Sequence, residues 1–167
     1  MSMSLCLQRT SVRKFLQSKI TDEVVERLMM SAMQAPSATN QQPWYFIVIK
    51  NRELLERLSG ISKGAWPLKE APLGILTLYD ENVKRPMMIP QDMAASTQNI
   101  LLEATHQGLG SVWIGVYPRE ERMKEVSEIV THDSSLKPFS LIALGYPQSS
   151  NQRVNYRYDT SRYTVIE

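Results

Sequence analysis

Cysteine is almost missing from this chain. Cys6 stands alone among 167 residues, so no intrachain disulfide can form and packing must hold the fold together. Histidine is nearly as scarce: His106 and His132 are too few and too far apart for a metal site. Neither lies in a strained turn or glycine-rich elbow of the kind that serves a Ser/His/Asp or Cys/His catalytic set. Solvated positions on helix faces or near helix ends suit both histidines, and a small apolar contact suits Cys6. Charge of one sign is lacking as well. With 19 Lys and Arg against 17 Asp and Glu, the chain has no surplus to neutralise a run of phosphates, which excludes nucleic acid as an expected partner. No stretch approaches the ~20 apolar residues of a membrane span, and the first residues lack a charged-then-apolar secretory pattern. A soluble, cytoplasmic protein without a membrane partner is expected. If it performs chemistry, something other than its side chains brings the reactive atoms.

What is present is a 43% hydrophobic composition, enough for one compact domain over residues 1–167. Thr21, Asp22 and Glu23 form a helix start, and Val25, Leu28, Met29, Ala32 and Met33 recur at three and four, which predicts an amphipathic helix to about Gln34, stopped by Pro36. "WYFIVIK" (44–50), "LGILTLY" (73–79), "SVWIGVY" (111–117) and "FSLIALGY" (139–146) read as strands. Between them, 51–60 reads as a short helix. Residues 90–107 form a long one with a wide small-and-apolar stripe, fit for a domain centre or a subunit interface. A charged helix runs from Pro118 to about Val130. Strands alternating with helices favour a layered α/β or α+β sandwich. Residues 148–167 are polar and without a helical stripe, as a fraying tail or an arm lying on a partner subunit would be.

Three stretches carry candidate chemistry. Arg9, Thr10, Ser11 and Arg13 put two guanidinium forks and two hydroxyls within five residues, enough to surround a phosphate with charge-assisted hydrogen bonds. A solvated basic surface has the same spacing. "QAPSATNQQPWYF" (34–46) sets small residues before Asn40, Gln41 and Gln42, so backbone and amide groups can approach a planar ligand's edge; an ordinary Asx turn has the same composition. "GLGSVWIG" (108–115) fails as a dinucleotide fingerprint. Trp113 stands where glycine is required, and the glycines follow a helix and precede a strand. Gly108 reads as a helix terminator and Gly115 as a bend or a close backbone approach.

In this order, "RTSVRKF" (9–15), "APSATNQQPWYF" (35–46), "DMAASTQNILLEATHQGLGSVWIG" (92–115) and "LIALGYP" (141–147) resemble the flavin-dependent nitroreductase family in its short form. The resemblance implies an α+β, three-layer α/β/α sandwich around a mostly antiparallel sheet, in a domain-sharing homodimer that binds FMN at its interface. It implies that Arg9, Thr10, Ser11 and Arg13 hold the phosphate and ribityl end, and that Pro36, Ser37, Ala38 and Asn40 reach the flavin of the other subunit. Ile114 and Gly115 would offer backbone N–H groups to the ring. A tail arginine would complete the phosphate site, Arg157 before Arg153. No catalytic side chain and no metal are implied. The activity implied is ping-pong transfer from NAD(P)H, as co-substrate, to a nitroaromatic, quinone or similar small-molecule electron acceptor. A specialised flavin enzyme of the same fold, a dehalogenase or dehydrogenase, and a non-catalytic flavin-binding protein are the alternatives. The extra helical segment that roofs the flavin in longer members is missing, so 61–70 and 80–91 must supply whatever cover exists.

Overall fold

The computed structural model describes residues 4–131, 133–149 and 157–166. Its elements are α1 (Leu5–Gln8), α2 (Asp22–Met33), β1 (Trp44–Ile49), α3 (Arg52–Ser59), α4 (Pro67–Glu70), β2 (Leu73–Asp80), α5 (Ile89–His106), β3 (Gly110–Gly115), α6 (Glu120–Ile129) and β4 (Leu136–Gly145), with three short 3-10 turns. The strands form one sheet of order β1-β2-β4-β3, antiparallel at every pairing.

Strand alternation decides which helix each side chain meets. Leu76 and Leu78 of β2 and Leu141 and Ala143 of β4 meet Leu55 and Leu58 of α3, Leu68 of α4 and Val126 of α6. Their neighbours Leu73, Ile75, Ile142 and Leu144 meet Leu28 and Ala32 of α2 and Ile100, Leu101 and Ala104 of α5. The result is the expected three-layer α/β/α sandwich of the α+β class. Both faces of β2 are buried, which is why its sequence is a continuous apolar run. The wide stripe of α5 is consumed within the chain, between α2 and the sheet, with Ser96 Oγ donating to Ala32 O at 2.9 Å and Asn99 Nδ2 to Ser31 O at 2.9 Å.

Local signals set most boundaries. Thr21 accepts from Val24 N–H at the start of α2. Gly108, at φ 72°, ends α5 with Leu109 N–H donating to Ala104 O at 2.8 Å and Gly108 N–H to Thr105 O at 3.1 Å. That is a Schellman closure, in which a left-handed residue is required. Two boundaries differ from expectation. α6 begins at Glu120, two residues after Pro118, and β4 begins at Leu136 despite Pro138, because a bulge between Thr77 and Leu78 lets β4 carry an extra residue there. Cys6 is exposed rather than packed. His106 is an exposed helix end, and His132 lies outside the described residues.

The segment after α1 lies across the sheet on a pair of glycines. Gly110 and Gly145 face each other across β3 and β4. A Cβ on Gly110 would sit 2.6 Å from Val12, and one on Gly145 would sit 2.8 Å from Phe15 Cβ. Val12 and Phe15 therefore fill the space that side chains there would occupy, and both join the core. Ser11 forms a parallel bridge with Ser111, and Val12 N–H donates to Ser111 O at 2.9 Å. Gly110→Ala should destabilise the protein by about 1–3 kcal/mol, an overpacking cost measurable by urea unfolding. An unchanged midpoint would mean that the segment yields without loss.

Candidate functional site

β3 is an edge strand, and among the described residues only those of the segment carrying Ser11 and Val12 pair with its outer side, at its first residues. Beyond that cover a cleft of about 570 Å³ opens along the strand. Its size falls within the usual range for a small-molecule or cofactor site. Arg13, Lys63, Arg119 and Arg122 line it, with Trp113, Ile114 and Gly115, and among the described residues no carboxylate does. Among the described residues none of these four cations forms an ion pair. Such a lining attracts an anion.

Gly115 gives the cleft its flat wall. A Cβ there would meet nothing within 4 Å, so this glycine is not demanded by packing. Antiparallel pairing sends alternate residues' N–H and C=O groups outward and inward. Since Ser111 O is turned outward to Val12, Gly115 is turned outward as well, and its carbonyl accepts from Arg122 Nη1 at 2.6 Å. The same alternation turns Ile114's backbone toward Leu141 of β4, leaving Ile114 to line the cleft as an apolar side chain.

Of the residues singled out in the sequence, Arg13, Ile114 and Gly115 meet in this cleft. Arg9 and Thr10 are half-buried and Ser11 exposed in the adjoining segment, and Arg13 Nη1 lies 3.4 Å from Ser11 O. Pro36, Ser37, Ala38 and Asn40 precede β1, on the opposite edge of the sheet, and line no part of the cleft. Arg157 is exposed in the segment 157–166, and Arg153 lies outside the described residues. Lys63, Arg119 and Arg122 were not singled out in the sequence. The available signal was the placing of Arg119 and Arg122 at a helix start, where cations oppose the helix dipole.

The 36–42 loop is held in a costly shape. Thr39, Asn40 and Gln42 have φ of 53°, 54° and 46°, left-handed values that side-chain-bearing residues adopt at about 1–3 kcal/mol each. Asp92 of α5 holds it there. Its carboxylate, 4% exposed, accepts from Ala38 N–H at 2.9 Å and Gln41 Nε2 at 2.6 Å. Gln41 also accepts from Arg85 N–H at 2.9 Å, tying the loop to the chain before α5. Ser37 Oγ accepts from Gln42 N–H at 3.0 Å.

Among the described residues no side-chain acid–base pair lines the cleft. Tyr79 is buried beside Tyr117 and Phe139, and desolvation, then Glu81, pushes its phenol up to about 12, so it stays protonated at neutral pH. Among the described residues no group of three His, Cys, Asp or Glu could hold a metal. No helix there is long and apolar enough to cross a membrane.

This chain belongs to the nitroreductase family, whose model matches residues 6–89 and 67–146. It is thus one of a family of oxidoreductases. An Archaeoglobus fulgidus protein provisionally named NADH dehydrogenase/NAD(P)H nitroreductase is 43% identical over 152 residues, 87% of each chain. A solved Clostridium acetobutylicum structure, provisionally named an NADH oxidase, is 45% identical with TM-score 0.93, covering 98% of this chain and 99% of that one. An FMN-dependent nitroreductase of Clostridium difficile is 25% identical with TM-score 0.89 and 98% coverage of both chains.

Asp92→Ala should cost about 3 kcal/mol or more, since two donors to a charged acceptor lose it. Amide exchange at Ala38 should accelerate ahead of the sheet amides. Uniform acceleration of both would mean that Asp92 supports the fold in general and not this loop.

Proposed function

We propose that this chain is an FMN-dependent NAD(P)H oxidoreductase of 167 residues in one domain, acting as a homodimer on nitroaromatics, quinones or similar small acceptors in the cytoplasm. The observation that carries the reading is the all-cationic cleft with a bare glycine wall. A planar group can lie against Gly115 where a Cβ would obstruct it, and a phosphate can neutralise Arg13. The chain therefore fits a cofactor that is flat at one end and anionic at the other. Bound flavin would supply the hydride chemistry that no side chain here offers.

In this reading Arg9, Thr10, Ser11 and Arg13 hold the phosphate and ribityl end, since the glycine pair beneath Val12 and Phe15 fixes their segment against β3. Gly115 N–H is aimed from the strand edge at a ring that gains negative charge on reduction. Ile114 excludes water from one side. Pro36, Ser37, Ala38 and Asn40 line no part of this cleft, and they serve that of a second copy, with Asp92 holding their loop in its strained form. The arm of residues 148–167 packs on that copy and brings Arg157, or Arg153, to the phosphate. Tyr158, Tyr163, Val165 and Ile166 are 77%, 55%, 71% and 93% exposed on their own chain, an apolar content that suits such packing.

The purified protein should be a yellow dimer whose flavin is bleached by NADH or NADPH and recoloured by a quinone. A colourless monomer that refuses added FMN would refute the reading. Replacing both Arg9 and Arg13 by alanine should weaken FMN binding by about 10- to 100-fold per arginine, the equivalent of about 1.5–3 kcal/mol for each charged hydrogen bond. The fold should survive, and retention of full flavin would argue for another phosphate site. Gly115→Val should leave unfolding within about 0.5 kcal/mol, as expected for a substitution into open space, while lowering FMN affinity.

A further inference from the structure

Arg119 and Arg122, with Lys63, are the cleft cations that the cofactor reading does not use. The two arginines sit three residues apart at the start of α6, which places them on one face, and both line the cleft. Arg119 occupies the N-cap position without a side-chain cap hydrogen bond. A cation there opposes the helix dipole, and the preferred capping residues are given up, so helix stability does not account for either arginine. Of the two glutamates between them, Glu120 lines a separate hollow with Tyr79 and Lys124, and among the described residues neither it nor Glu121 lines the cleft or forms an ion pair with either arginine. Arg122 is fixed in direction by its 2.6 Å hydrogen bond to Gly115 O.

Their place along β3 lies beyond the point where the N-terminal segment pairs. Ser11 pairs with Ser111, whereas Arg122 reaches the carbonyl of Gly115, four residues further and so about 13 Å along the strand. Arg13 extends from that segment into the same cleft. The cofactor named above has one phosphate, which the functional reading gives to the N-terminal cluster. Arg119 and Arg122 are then left as two guanidinium groups, geometrically suited to a carboxylate or phosphate.

We propose that Arg119 and Arg122 form a second anion subsite, which binds a carboxylate or phosphate group of the molecule that exchanges electrons with the flavin. The inference rests on the FMN reading. It assigns the protein a preference for anionic reactants and gives Arg119 a specificity role that no side chain in the N-terminal cluster fills.

The test uses the flavin-loaded dimer, wild type against Arg119→Ala, at fixed ionic strength. Two matched pairs separate the sources of the anion: 4-nitrobenzoate against neutral 4-nitrobenzamide as acceptors, and NADH against phosphate-free N-benzyl-dihydronicotinamide as donors. In one pair, the ratio of KM for the anionic member to KM for the neutral one should rise about tenfold or more. The pair that responds says whether the acceptor or the nicotinamide donor supplies the anion. Calorimetric titration with unreactive benzoate and with NAD⁺ should show the same loss in Kd, and Arg119→Lys should restore part of it. Unchanged ratios in both pairs would overturn the subsite, as would an FMN affinity reduced by Arg119→Ala as far as by Arg13→Ala. A wild-type protein that never binds FMN would instead sink the underlying functional reading.

Discussion

The site depends on two missing side chains. Gly110 and Gly145 are partners across β3 and β4, and the space they leave is occupied by Val12 and Phe15. Burying those two side chains is worth about 1.5–3 kcal/mol each. The same contact carries the basic segment to the sheet edge, with Arg13 facing the cleft. A catalytic framework assembled from loops alone would let that arginine wander. Here a buried valine and phenylalanine fix its backbone.

A second constraint operates at the other edge. The loop before β1 is kept in left-handed geometry by a buried carboxylate that belongs to the central helix. Asp92 is satisfied by a backbone amide and an amide side chain, which makes its burial tolerable. Helix α5 thus does two jobs. Its apolar stripe closes the α2 layer onto the sheet, and its first turn shapes a loop that its own chain's cleft does not use. Two preorganised pieces on opposite edges of one sheet support the proposal that two copies work together.

Most of the architecture could be read from the sequence. The four strand segments, the capped start of α2 and the terminator Gly108 all rest on local chemistry within a few residues, so they survive folding unchanged. The misreadings have tertiary causes. β4 begins ahead of the expected 139–146 because a bulge accommodates Pro138. The apolar Val12 and Phe15 in a basic stretch were overshadowed by its charges. Their burial depends on glycines about a hundred and more positions away in the chain. Arg119 and Arg122 read as part of a solvated charged helix because nothing local says that a strand edge lies beside them. Lys63 reaches the same cleft from the turn before α4, where spacing carries no message. The resemblance to a family supplied the cofactor, and the geometry then distinguished Gly115, turned outward, from Ile114, turned inward.

The outer side of β1 has one more implication. Its six residues, Trp44–Ile49, are aromatic and β-branched, contain no lysine or proline, and pair only with β2 among the described elements. Tyr45 is half exposed on it. Sheets usually blunt such a border with charge or a bulge, because it otherwise templates the addition of foreign strands. For this protein the hazard at that border is aggregation, so solubility hangs on a single strand.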